Sequence, residues 1–154
     1  IVDWKQKGKF AFNDESITVY DSATIIGDVK VGSNTWVGPF TILDGSGGLN
    51  IGKYCSISAG VKIMTHDTVK WALSLGKENY EYGPIKIGDG CFIGSNAVIK
   101  RGLSIGCHCL IGAGAVVTKS LPDYTIALGT PAKVSGKVKI INEKVKLEYF
   151  EKHG

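Results

Sequence analysis

An isoleucine or valine, most often followed by glycine, returns every six residues along most of this 154-residue chain, a period that belongs to neither a strand nor a helix. Strand side chains repeat every two residues and helical ones every 3.6, so a beat of six requires a chain that turns at a fixed interval and stacks on itself. The beat runs Val31-Gly32, Val37-Gly38, Ile51-Gly52, Ile57, Ile63, Ile87-Gly88, Ile93-Gly94, Ile99, Ile105-Gly106, Ile111-Gly112 and Val117. A second beat falls four residues after each leading aliphatic, at Val29, Thr35, Thr41, Cys55, Val61, Cys91, Ala97, Leu103, Cys109 and Ala115. The pattern predicts a parallel β-helix whose hexads each supply one short face with the leading aliphatic buried. Coils stacked about 4.8 Å apart then extend one ladder of Ile and Val from coil to coil.

Such a solenoid needs no larger globular core, so the length suits a single domain. Cys55, Cys91 and Cys109 sit on the small-residue beat and read as core fillers, and free thiols in this number fit a reducing cytoplasm. In Cys107-His108-Cys109, neighbouring side chains of a strand point to opposite faces, which suits no tetrahedral metal site. The formal charge of +4 comes from scattered lysines and arginines with no dense run, which argues against nucleic acid. No leader pattern and no membrane-length apolar run is legible, and a cytoplasmic protein is expected.

Interruptions of a regular stack are more often functional than its repeats. Gly45-Ser46-Gly47-Gly48 adds two residues between the hexads beginning at Leu43 and Ile51 and reads as a glycine corner bulge. The larger break follows Ile63-Met64-Thr65-His66-Asp67-Thr68, where residues 69–80 carry Trp71, Leu73, Leu75 and Tyr80 without the beat. If those twelve residues loop out, the hexad starting at Glu81 follows the one starting at Ile63, and His66 falls in a column with Asn96 and Gly114. His66 is the strongest candidate for chemistry, since histidine exchanges a proton near neutral pH and stands here at the root of an excursion. A corner could turn Asp67 toward the imidazole to orient it.

Hexads of the form [Ile/Leu/Val]-Gly-x-x-[small]-x resemble those of the hexapeptide-repeat acyltransferases over about residues 17–134. That resemblance implies a left-handed triangular prism of three hexads per coil. Thr65-His66-Asp67 looks like the segment in which the sugar acetyltransferases of the family place their general base. On that likeness His66 deprotonates an acceptor amine or hydroxyl that attacks acetyl-CoA. Asn96 and the backbone of Gly94 and Ser95 become candidate oxyanion donors, and Trp71 and Tyr80 cover the acceptor. Gly112-Ala113-Gly114-Ala115 resembles the stretch along which the pantetheine arm runs, where side chains of one carbon or none allow close approach to backbone. Gly129-Thr130-Pro131-Ala132-Lys133 looks like the family's close of the helix, with Lys119 and Lys133 candidate contacts for coenzyme phosphates. The family further implies a homotrimer with sites between subunits, and a sugar or nucleotide-sugar acceptor.

The resulting expectation is an all-β chain with an N-terminal strand or cap over 1–16, a β-helix over 17–134 with an excursion at 69–80, and a tail over 135–154 that can close as a short helix. The activity expected is acetyl transfer to the amino group of a nucleotide-linked deoxy-amino sugar of a surface polysaccharide, with transfer to a sugar hydroxyl the nearest alternative. A zinc hydrolyase on the same prism needs three convergent histidines, and the chain offers only His66, His108 and His153, the last in its tail. A non-catalytic scaffold would leave the three matching segments without a purpose.

Overall fold

The structure, a computed structural model, describes residues 11–151. Its strands are β1 (Thr18–Val19), β2 (Thr24–Val31), β3 (Trp36–Val37), β4 (Ile42–Ile51), β5 (Ser56–Ile57), β6 (Lys62–Met64), β7 (His66–Asp67), β8 (Glu81–Tyr82), β9 (Ile85–Ile87), β10 (Phe92–Ile93), β11 (Val98–Ile99), β12 (Ser104–Ile105), β13 (Leu110–Ile111), β14 (Val116–Val117), β15 (Thr125–Leu128), β16 (Lys133–Ile141) and β17 (Lys144–Tyr149). One short helix, α1 (Val69–Leu73), lies between β7 and β8.

The hexads stack on three faces, eighteen residues to a regular coil, as the family resemblance implies. On the first, Val37 pairs with Ile57, Ile57 with Ile93 and Ile93 with Ile111. On the second, Leu43 pairs with Ile63, Ile63 with Ile99 and Ile99 with Val117. On the third, Val31 pairs with Ile51, Ile51 with Ile87 and Ile87 with Ile105, and Leu121 extends the column by a bridge. Strands β2 and β4 bend from the second face onto the third, and β4 does so through the 45–48 bulge. Apart from the part-buried Val31 of the first coil, the leading aliphatics are buried, so each column runs through the core. The glycine after a leader is set by close approach, because a Cβ at Gly94 would stand 2.4 Å from the Ala113 amide nitrogen of the next coil.

The second beat is also interior, and it does more than fill space. Thr35 Oγ1 donates to Gly52 O at 2.7 Å, and the thiols of Cys55, Cys91 and Cys109 donate to Gly88, Gly106 and Pro122 carbonyls at 3.0–3.1 Å. The cysteines are free and form a ladder that satisfies corner carbonyls from inside. His108 turns outward at the corner between the third and first faces and stacks on Tyr124.

The structure corrects two expectations. From Ile63 to Ile87 the chain runs 24 residues where a hexad takes six, so the excursion expels eighteen residues, not twelve. Ile85 and Ile87 belong to the third face, whereas Glu81 and Tyr82 pair back onto β7. The tail forms an antiparallel hairpin of β16 and β17 instead of a helix. Val145, Leu147 and Tyr149 alternate with charged residues at the strand period, and Asn142 and Glu143 take the left-handed φ values of +50° and +64° that a tight hairpin turn needs. Of the N-terminal segment, Phe12 packs on the core, while Phe10 and residues 1–9 lie outside the described residues.

If the Ile ladder carries stability, Ile93→Ala at its centre lowers the unfolding free energy by about 2–5 kcal/mol, measured by urea denaturation.

Candidate active site

The bulge in β4 and the excursion after β6 leave the stack at the same corner of successive coils, between the second and third faces. Residues brought by the two departures therefore meet. Asp44, at the mouth of the bulge, has no exposed surface and accepts from the Thr65 N–H at 2.9 Å, the Ser46 N–H at 3.0 Å and His66 Nδ1 at 2.5 Å. Thr65 is buried between them, donating its hydroxyl to the Asp44 carbonyl at 2.8 Å and accepting from the Gly47 N–H at 2.8 Å. Ser46 Oγ lies 3.0 Å from the same imidazole nitrogen. An ionised carboxylate only accepts, so the hydrogen on this edge of the ring is on Nδ1, and in the neutral ring the lone pair is then on Nε2. The His66 side chain is 27% exposed and can reach a substrate.

Burial alone would push the Asp44 carboxyl up. Hydrogen bonds from the Ser46 N–H, His66, the Ser46 hydroxyl and the Thr65 N–H outweigh it and hold the pKa down at about 2, against an ordinary 3.8.

Asp67 does not orient His66. Neighbouring strand residues face opposite ways, and Asp67 accepts from Arg101 Nε at 2.6 Å and from the Val69 N–H at 3.1 Å. The Arg101 hydrogen bond, with smaller help from Val69, holds the Asp67 carboxyl below its ordinary range. Arg101 Nη2 also donates to Glu81, and Lys70 Nζ stands 2.9 Å from the other oxygen of that carboxylate. Strands β7 and β8 pair His66 with Tyr82 and Asp67 with Glu81. Across that ladder the Tyr82 and Tyr80 rings lie 6.1 and 6.4 Å from the His66 ring, and Trp71 meets Tyr80 edge-on at 5.9 Å. Trp71, Asn79, Tyr80 and Tyr82 line a hollow of about 440 Å³.

A second hollow, of about 520 Å³, runs from His66 along the outer surface of the second face past Met64, Val98, Lys100, Val116 and Thr118. His66 thus lines the mainly aliphatic cleft, with two tyrosines of the aromatic hollow beside its ring. Asn96 and Gly114 do share a column, since the Asn96 N–H donates to Ala59 O and the Gly114 N–H to Ser95 O. His66 is absent from it, because the excursion is one hexad longer than twelve residues. Asn96, with Gly94 and Ser95, stands on the opposite edge of the second face, and its Oδ1 folds over Gly60. Gly112-Ala113-Gly114-Ala115 turns that same edge one coil on. Gly114 has φ +70° with open space where a Cβ would be, so the turn, not crowding, requires glycine there. Residues 129–132 pass over β14, where the Ala132 N–H donates to Val116 O, and Pro131, Lys119 and Lys133 are exposed near that end. Among the described residues no group of three potential ligands could hold a metal, and no helix is long and apolar enough to cross a membrane. His153 lies outside the described residues.

A family model described as the hexapeptide repeat of succinyl-transferase matches residues 84–119. The chain is 40% identical over 113 residues to the protein CapG of Staphylococcus aureus, covering 68% of this chain and 66% of that protein. It is 31% identical over 142 residues to the galactoside O-acetyltransferase of Escherichia coli K12, covering 79% of this chain and 68% of the relative. The fold matches the crystal structure of AntD, an N-acyltransferase from Bacillus cereus in complex with dTDP and 3-hydroxybutyryl-CoA, with a TM-score of 0.68, 19% identity and coverage of 84% and 85%. The chain belongs to the hexapeptide-repeat acyltransferase family, and its fold is that family's left-handed parallel β-helix.

Sequence reasoning singled out His66 and passed over Asp44 and Ser46, which bond to it. Their signal was the two-residue bulge that follows Asp44, legible only once its corner is stacked against that of His66. Because the folded-state pKa of Asp44 is depressed, its contribution is present above about pH 4 and is lost as the pH falls through about 2. Acid unfolding of Asp44→Asn, followed by circular dichroism, should lack a contribution on the order of 2 kcal/mol that the native chain loses over that window.

Proposed function

We propose that this chain transfers an acetyl group from acetyl-CoA to a sugar, with His66 as general base and Asp44 holding it in place. The observation that carries the reading is the 2.5 Å contact of the buried Asp44 carboxylate with Nδ1 of a part-exposed imidazole that lines the aliphatic cleft and lies 6.1 and 6.4 Å from the Tyr82 and Tyr80 rings. Acetyl-CoA supplies the acetyl group as a thioester, open to attack by a neutral amine or a deprotonated hydroxyl. The cleft fits the thin arm of the coenzyme, since Met64, Val98 and Val116 present an aliphatic wall that ends at His66. The exposed Lys119 and Lys133, near the far end, are the cations for its phosphates.

The acceptor lies across the corner, in the hollow of Trp71, Tyr80 and Tyr82, where aromatic rings pack against the apolar face of a sugar ring. His66 Nε2 removes a proton as the acceptor attacks the thioester carbonyl, and Asp44 balances the charge the imidazole gains. The imidazolium returns that proton to the coenzyme sulfur as the C–S bond breaks and the free thiol leaves. The carboxylate is already ionised and aimed, so no reorganisation accompanies that step. AntD, which has this fold, is an N-acyltransferase bound to dTDP and an acyl-CoA, and supports an amino sugar linked to a nucleotide as acceptor. A product of that kind suits a surface polysaccharide assembled from cytoplasmic precursors. The likeness to a galactoside O-acetyltransferase favours a second reading, transfer to a sugar hydroxyl, with the same residues in the same roles.

The site is taken to be completed in a homotrimer, where a neighbouring copy closes the cleft along the second face. The edge carrying Gly94, Ser95 and Asn96 is opposite His66 within one chain and is then available to a neighbour's cleft as a source of oxyanion donors.

Thiol release from acetyl-CoA over a panel of amino and hydroxyl nucleotide sugars tests the reading. The expected result is turnover on an amino sugar that falls at least about 100-fold in His66→Ala and about 10–100-fold in Asp44→Asn, whose amide can hold the imidazole in the wrong tautomer. Turnover that His66→Ala leaves unchanged would remove the histidine from the mechanism.

A further inference from the structure

The strand pair that carries His66 has little of its own to hold it. Strands β7 and β8 contribute two residue pairs to a sheet that joins no other, and a ribbon that short has no independent stability. Helix α1 buries no side chain, and Leu73 and Leu75 are more than 80% exposed. At the root, the Gly83 N–H donates to Thr65 O and the Gly102 N–H to Gly83 O, so residues 101 and 102 of the next coil lie directly against the base of the excursion.

From that position Arg101 reaches both strands at once, donating Nε to Asp67 on β7 and Nη2 to Glu81 on β8. The pair it clamps is adjacent to the pair His66↔Tyr82. Charge-assisted bonds from a planar guanidinium fix direction as well as distance, which a lysine's single ammonium does not reproduce. Lys70 completes the cluster from α1, so two cations meet two carboxylates and Arg101 has both neighbours saturated.

We propose that Arg101 is a positioning residue for the acceptor half of the site: by holding Asp67 against Glu81 it fixes the ribbon that sets His66 against Tyr82, and with it the aromatic hollow. The inference rests on the acyl-transfer reading given above. It assigns Asp67 a purpose other than orienting the imidazole, and it explains why an arginine stands on the coil above the excursion. Arg101 also lines the aliphatic cleft, so direct contact with the acyl donor is the competing role.

Two measurements on the full chain separate these roles, using native protein, Arg101→Gln, Arg101→Lys, Glu81→Gln and the double variant Arg101→Gln/Glu81→Gln. In hydrogen exchange, amides of residues 66–83 should exchange at least about tenfold faster in Arg101→Gln while the coils are unchanged. In steady-state kinetics the acceptor KM should rise about tenfold with the acetyl-CoA KM within about twofold. Arg101→Lys should fall between, and the double variant should be no worse than the worse single, because both remove one clamp. Unchanged exchange over 66–83 would overturn the proposal, as would a rise confined to the acetyl-CoA KM, or singles that add. Should the native chain transfer no acetyl group, the acyl-transfer reading falls, and the exchange measurement alone decides whether Arg101 anchors the ribbon.

Discussion

Each coil must bring its leading aliphatics back over those of the coil beneath, and the rest of the molecule follows from that requirement. Ile51 over Val31 and Ile87 over Ile51 leave no freedom to absorb extra residues within a face. Added chain has to leave the stack whole, at a corner, and re-enter in register. Two consecutive coils do so at one corner, the first with the bulge beside Asp44 and the second with the eighteen-residue excursion that begins at His66. Stacking then places a buried carboxylate under a histidine 22 residues further along the chain. The site is the point where two departures from the repeat coincide.

This arrangement divides the work between regular and irregular parts. The second face, regular from β6 to β14, offers a smooth aliphatic surface of Met64, Val98 and Val116 for an elongated co-substrate. The excursion brings Trp71, Tyr80 and Tyr82, side chains with no place in a hexad, to the hollow that the proposed function gives to the acceptor. His66 sits at the seam, anchored to the rigid side through Asp44, Ser46 and the backbone of Thr65. Its anchor is therefore as rigid as the coils, whereas its surroundings on the acceptor side depend on a two-pair ribbon. With His66 as the proposed base, a scaffold of this kind changes its acceptor by changing the excursion while the histidine stays fixed.

How much of this was legible in the sequence depends on whether the signal was periodic. The columns, the interior place of Cys55, Cys91 and Cys109, and the emergence of an excursion after His66 all followed from counting sixes. The length of the excursion did not, because Ile85 and Ile87 resume the beat and invite the preceding Glu81 and Tyr82 to be counted with them, although those two residues pair with β7. That slip of one hexad is what put Asn96 in the His66 column of the sequence reading. The tail was misread because the adjacent Tyr149 and Phe150 obscure the alternation of Val145, Leu147 and Tyr149 with the charges between them. Asp44 was passed over because the bulge after it reads by itself as a glycine corner; the Thr65 and His66 that bond to it arrive from the next coil. The likeness of Thr65-His66-Asp67 to a family segment drew attention to the adjacent acid, whereas the acid that touches the imidazole arrives from another coil.

The central claim is that Asp44 fixes His66 as the tautomer protonated at Nδ1. Nitrogen NMR of protein labelled at histidine, recorded at a pH where the ring is neutral, reads this directly. The account predicts a His66 spectrum with Nδ1 protonated and Nε2 unprotonated in the native chain, and loss of that preference in Asp44→Asn. A native spectrum with the proton on Nε2, or one that Asp44→Asn leaves unchanged, would contradict it.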